Sequence, residues 1–333
     1  MSTMFIIYSI LLVLVTLAVS VFVATVLPGF ERKYIHARIQ QRVGPNVFSP
    51  GLLSIFKFSF KKETSTNSPS PKLYNSLPFI CFIVIMLVIL TLIPQNYVFL
   101  GFASIIAIIG FLKVEEITYV LMGSLSKSVL SGNMPFPDKV AGAKRLDTNV
   151  SFMEDISSNR SLRLIALGSF PFYLAILIPV VITRSIYLGD IVNFQHINGP
   201  ILFSIPGVIG AIVFLIGYII LLNEYPFSIL KAKSDVIEGP YLEYSGNRRA
   251  FVYLNKGLLM FALSSLFAVL FLGIPLSLMS WGIIIVLFLA FLFPVLAGIL
   301  GAFSPVFTFR QFYPVVFVTS ILGVLGIVLS LFI

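Results

Sequence analysis

Two stretches of this 333-residue chain, Leu73–Leu112 and Gly257–Phe309, contain no Asp, Glu, Lys or Arg. A spanning helix needs about 20 mostly apolar residues, so each stretch has room for two. A soluble fold cannot bury uninterrupted runs of this length. Only 11% of the whole chain is charged, against roughly 25% in a typical soluble domain. Lipid must be the solvent for most of this surface.

Proline and glycine divide the runs. Pro94-Gln95-Asn96 breaks the first and Gly273-Ile274-Pro275 the second. The first apolar segment, Met4–Leu27, is expected to close at Pro28-Gly29. It lacks the basic start of a signal peptide and is long enough to span, so it reads as a retained helix. Leu164–Thr183, Pro200–Leu222 and Gln311–Ile333 complete the set. The expected fold class is all-α, a polytopic transmembrane bundle of about eight helices. Residues 1–333 form one integral membrane domain, with loops at 29–72, 125–160, 223–249 and 303–312.

The net charge of +9 does not indicate nucleic acid, because the bases sit in short loops between spans. Nineteen of the 22 Lys and Arg fall in the odd-numbered loops and their flanks. Arg184 alone falls on the other side, and Lys113 and Lys256 lie within predicted helices. The positive-inside rule then makes those loops cytoplasmic and puts the N-terminus outside. The expected location is the plasma membrane, in multi-pass form. One cysteine, Cys81, and two histidines, His36 and His196, cannot assemble an iron–sulfur cluster, zinc site or haem in the usual ways. No metal site, and no cofactor of any kind, is expected in this chain.

Three places carry chemistry. The loop Asn223–Arg249 holds Glu224, Asp235, Glu238 and Glu243 among four bases. Such carboxylates either relay protons or make local ion pairs in a solvated loop. Lys113, Glu115 and Glu116 interrupt the third apolar run, where a charge signals a pathway or a paired site. Lys113 can pair with Glu116 at i+3 or snorkel from a helix end. Lys256, early in helix six, looks to the carboxylates of the preceding loop. Third, Glu31–Asn46 carries Arg32, Lys33, Arg38 and Arg42, with Gln40 and Gln41 between. Arg38 and Arg42 would share a helix face that Gly44-Pro45 ends. Together with Arg248 and Arg249, these residues suit either anionic lipid or docking of an acidic partner.

Several of these segments resemble a known family. Glu31-Arg32-Lys33, Ala37-Arg38-Ile39-Gln40, Arg42-Val43-Gly44-Pro45-Asn46 and Gly51-Leu52-Leu53 are similar to the first cytoplasmic loop of the complex I subunit 1 family. Pro226-Phe227, Asp235, Gly239 and Glu243-Tyr244-Ser245-Gly246 are similar to its acidic loop, and Arg160-Ser161 to its approach to helix four. The run Glu238–Gly246 looks most like the archaeal branch of membrane-bound nickel–iron hydrogenases and sulfane reductases.

The resemblance implies a non-catalytic subunit that anchors a ferredoxin-oxidising peripheral arm and helps link electron transfer to H⁺ or Na⁺ movement. It implies as partners an iron–sulfur small subunit, a hydrogenase-like large subunit and antiporter-like membrane subunits. The iron–sulfur clusters and any nickel–iron centre would lie in those partners. Coupling residues would be Glu115, Glu116, Glu224, Asp235, Glu238, Glu243 and Lys256. The chain departs from the family pattern at Ser228, Lys231 and Lys233, where acidic residues are usual. It departs also at Leu221, Glu224, Leu167-Gly168-Ser169 and Lys256. These departures weigh against a quinone pocket. A quinone-binding subunit of an NADH- or F420-type dehydrogenase remains an alternative, as does an independent secondary transporter.

Overall fold

The computed structural model describes residues 3–64, 68–94, 103–126, 152–229 and 239–332. Among them the helices are α1 (Thr3–Phe30), α2 (Ser54–Ser59), α3 (Pro71–Thr91), α4 (Ile105–Ser124), α5 (Phe152–Arg163), α6 (Phe170–Thr183), α7 (Leu188–Asn198), α8 (Ile205–Leu221), α9 (Gly246–Leu272), α10 (Gly282–Phe303) and α11 (Phe309–Ser330). The remainder comprises short helical stretches of π, 3-10 and single-turn α type, turns and loops, with one isolated antiparallel bridge between Ser104 and Tyr187.

The breaks in the apolar runs fall where the sequence places them. α3 ends at Thr91, just before Pro94, and α4 starts behind Ser104, whose hydroxyl accepts from Ala107 N. α9 ends where Gly273 takes a left-handed φ of 69°. Among the described residues, six helical stretches are long and apolar enough to cross a membrane: Ile7–Ile39, Pro71–Thr91, Ile156–Thr183, Gly246–Leu272, Gly282–Phe303 and Phe309–Ser330. The two other expected spans are α4, which carries Lys113, Glu115 and Glu116, and α8, which is apolar but only 17 residues long.

Pro28-Gly29 does not end the first helix. α1 runs through it to Phe30, widens into a π-helical stretch over Glu31–His36, and finishes at Ile39. Proline has no N–H and crowds the carbonyl four residues back, and in a membrane bundle a neighbouring helix takes up such a freed group. Here α9 packs against the Ala24 carbonyl. A Cβ at Gly257 would stand 2.1 Å from the Ala24 carbonyl oxygen, so only glycine permits the approach. The helix stops four residues earlier than Gly44-Pro45 predicts. Gln41 adopts φ 51°, Arg42 N donates to Ala37 O at 2.9 Å and Gln41 N to Arg38 O at 3.2 Å. That pairing is a Schellman cap, and it turns Arg42 off the helical face of Arg38.

α9 is the axis of the bundle. Every residue from Gly257 to Phe271 is buried, as expected of a helix apolar all round. Phe267 and Phe271 from α9 meet Phe214 of α8, and Phe267 also meets Phe293 of α10, with ring centroids 4.9–5.9 Å apart among these residues. Each such pair contributes roughly 0.5–1.5 kcal/mol. Between helices in lipid, packing of this kind replaces the hydrophobic driving force.

Contacts at the two ends show how the helices alternate. At one end Tyr244 Oη donates to Tyr74 O (2.8 Å), Phe307 N to Pro226 O (2.9 Å) and Arg160 to Ile229 O (3.3 Å). At the other, Leu276 N donates to Leu92 O (3.2 Å) and Leu188 N to Ala103 O (3.0 Å). The first end gathers the loop before α3, the loop between α8 and α9, and the α10–α11 turn. Those are the base-rich segments of the sequence. α7, which the apolar pattern did not foretell, closes the opposite end.

Candidate functional site

Among the described residues, two charged clusters sit inside the bundle. The first lies on α4. Lys113 is the ninth of its 20 residues, so it does not snorkel from a helix end. Its Nζ bonds Glu116 Oε2 at 2.8 Å and Ser169 Oγ at 2.7 Å, and sits 4.4 Å from the Tyr173 ring centroid. Tyr173 Oη donates to Glu116 Oε1 at 2.8 Å, and Ser169 Oγ to Oε2 at 3.2 Å. Both oxygens of Glu116 are thus held. Glu115, one residue away, is fully buried. A cavity of about 30 Å³, bordered by Glu116, Tyr119, Ser169 and Asn223, has room for a water.

The second cluster forms where α1's π-helical extension, the end of α8 and the start of α9 meet. Glu224 pairs with Lys256, and both side chains are mostly covered. Glu31 is 3% exposed and lies 3.1 Å from His36 Nε2. Glu31 also feels the charges of Glu224 and Lys256 directly. The local fold explains the Glu31–His36 contact. In an α-helix, residue i+5 points roughly 140° away from residue i, whereas i→i+5 closure brings the two onto one side.

Arg249 is buried. It donates to Tyr241 O at 2.7 Å and stacks 5.1 Å from the Tyr253 ring. Burial pushes the Tyr241 phenol well above the usual tyrosine range, so it stays neutral. Arg248 pairs with Glu63 at 2.8 Å. Arg32, Arg38, Gln40 and Arg42 are exposed, and Lys33 is half-buried beside Tyr34. Glu243 is half-buried at the end of the described part of its loop. Asp235 and Glu238 lie outside the described residues.

The model of the NADH dehydrogenase family matches residues 10–132 and 155–331, which is most of the chain. This chain belongs to that family, the complex I subunit 1 group. The H subunit of the NADH-quinone oxidoreductase of a Geobacillus species is 30% identical over 252 residues, covering 73% of this chain and 67% of the relative. An uncharacterized protein of Methanocaldococcus jannaschii is 42% identical over 311 residues, 93% of this chain and 94% of that one. A chain from the structure of the membrane-bound sulfane sulfur reductase, an archaeal respiratory membrane complex, superposes with TM-score 0.80. It covers 97% of this chain and 99% of that chain at 21% identity.

In this member of the family the predicted Lys113–Glu116 pair forms, and Lys256, expected to meet a carboxylate of the preceding loop, pairs with Glu224. Glu31 and His36, which residue spacing passed over, complete the second cluster. Ser169 and Tyr173 complete the first. Their only sequence signal is a hydroxyl and a phenol at i, i+4 in an otherwise apolar helix. Arg248 and Arg249, expected at the docking face, find their partners within the subunit itself.

Proposed function

We propose that this subunit anchors a ferredoxin-oxidising peripheral arm and helps couple its electron transfer to movement of H⁺ or Na⁺. One observation carries the reading: inside the bundle two lysines each hold a largely buried carboxylate, Lys113 with Glu116 and Lys256 with Glu224. Buried Glu115 is the chain neighbour of Glu116, and Glu31 lies within reach of the charges of Glu224 and Lys256. An ionisable pair within a membrane bundle is costly to place there and marks an ion or proton pathway. The small cavity next to Glu116 reaches Asn223, the residue before Glu224, and so joins the surroundings of the two clusters.

The basic end of the bundle is the cytoplasmic docking platform on this reading. Arg32, Lys33, Arg38, Gln40 and Arg42 meet the arm, while Arg248 and Arg249 brace the loop beneath it. Movement of that loop on reduction of the arm changes the protonation of Asp235, Glu238 and Glu243. Glu224 and Glu116 receive the change. The metal centres lie in partner subunits, and antiporter-like subunits continue the ion path.

The test is purification in mild detergent followed by proteoliposome assays. Co-purifying iron–sulfur and nickel-ligating subunits, with reduced ferredoxin driving ion uptake, are expected. The Glu116→Gln complex should retain electron transfer and lose at least about tenfold of the coupled uptake. A lone chain that transports a solute, or unchanged coupling in an assembled Glu116→Gln complex, overturns the assignment. Tight-bound quinone with ferredoxin-independent turnover supports the quinone-reducing alternative instead.

A further inference from the structure

A groove at the base-rich end, between the first turns of α3 and α9, is not used by either charged cluster. Lys72, Asn75, Asn247 and Arg248 form its polar rim. Phe79 and Phe251, packed edge to face at 5.6 Å, form its deeper wall. Glu63 also lines the rim and is engaged by Arg248 at 2.8 Å, whereas exposed Lys72 makes no ion pair among the described residues. Below the rim, Phe79 (48% exposed) and Ile83 (42% exposed) continue one apolar strip along α3. They lie about 10 and 16 Å from Lys72 at 1.5 Å per residue.

The geometry points to a binding site for one anionic glycerophospholipid. Its phosphate meets Lys72 and the amide of Asn247, and an acyl chain lies along Phe79 and Ile83. Three features select this occupant. The polar rim is cationic at Lys72 and is flanked by the positive ends of two helix dipoles. The wall is aromatic and apolar over acyl-chain length. The groove opens at the height where the chain passes from its apolar spans to its basic loops, which is where lipid headgroups lie. A soluble anion would use the rim and leave the strip uncovered, and a zwitterionic lipid would gain less from Lys72.

The experiment places the assembled complex in phosphatidylcholine nanodiscs with a photoactivatable phosphatidylglycerol whose reactive group is on an acyl chain. Peptides carrying Phe79 and Phe251 should be labelled. Unlabelled phosphatidylglycerol should compete and added phosphatidylcholine should not. Lys72→Gln should reduce labelling about fivefold, the effect of one surface cation on anionic lipid, and Lys72→Arg should preserve it. Lys57→Gln, on the exposed face of α2, should leave it unchanged. Labelling indifferent to headgroup charge or to Lys72→Gln identifies ordinary surrounding lipid and overturns the proposal. Competition by inorganic phosphate as effective as that by phosphatidylglycerol overturns it in favour of a free-anion site.

Discussion

Replacing Lys256 by Met removes a cation that faces both Glu224 and Glu31. Two buried carboxylates then share a site beside His36. Removing one partner of a buried pair costs about 3–5 kcal/mol. Lys256 is 26% exposed and Glu224 13%, so screening reduces the figure, and about 3 kcal/mol is expected. At roughly 2–4 °C per kcal/mol, the midpoint falls by about 6–12 °C. The chain supplies its own reporter, because Cys81 is its single cysteine and is 1% exposed. A thiol-reactive fluorophore in mild detergent therefore reads unfolding directly. The double variant Lys256→Met/Glu224→Gln leaves Glu31 with His36 and should recover more than half of the loss. A single variant that melts within about 1 °C of the parent refutes the buried-pair reasoning. So does a double variant no more stable than the single one.

Two further predictions use the same thiol assay. Gly257→Ala drives a methyl into the Ala24 carbonyl and should cost about 2–3 kcal/mol. Gly110→Ala on α4, where nothing lies within 4 Å, should be neutral or slightly stabilising, so equal effects at both sites would refute the close-approach argument. Gln195 donates to the carbonyls of Val269 and Leu270 at 3.1 Å each. Gln195→Leu strands these helix-terminal acceptors and should lower stability by about 2 kcal/mol, and an unchanged midpoint would show that α7 does not cap α9.

What the sequence makes legible is decided by how local the cause is. The breaks at Pro94 and Gly273 need only the chain's own geometry, and they form as expected. Lys113 and Glu116 meet because i, i+3 neighbours on a helix always face one side. Lys256 finds Glu224 because a charge early in a span has few carboxylates within reach. The rest depends on distant neighbours. α1 passes through Pro28, and α9 packs at Gly257 against the Ala24 carbonyl whose helical donor proline lacks. Glu31 reaches His36 through a π-helical widening that no α-helical projection would show. The helix stops at Gln41 in a left-handed turn, at a residue type that seldom marks one, rather than at the more obvious Gly44-Pro45. α7 is half polar and 11 residues long, so hydropathy alone passes over it. Arg249 is buried because Tyr241 O and the Tyr253 ring receive its guanidinium.

The placement of the two clusters bears on how coupling would work. The carboxylates of both pairs are largely covered, unlike Phe317, Ile321 and Val324 of α11 or Leu11 and Leu14 of α1, which project from the outer faces. Each of Glu116 and Glu224 is paired with a lysine rather than isolated. The desolvation cost of its charged form is therefore offset in part, and a modest change at the boundary can shift its protonation. That boundary differs for the two. Glu116 is held within the bundle by Ser169 and Tyr173 of the α6 segment. Glu224 begins the loop that leaves α8 toward the basic end, so displacement of that loop moves one carboxylate of the second cluster and none of the first. A docked arm would thus act first on Glu224 and Lys256. Glu116 would respond second, through the water-sized cavity at Asn223. That order predicts that Lys256→Met impairs the response to arm reduction while Glu116→Gln impairs ion uptake itself.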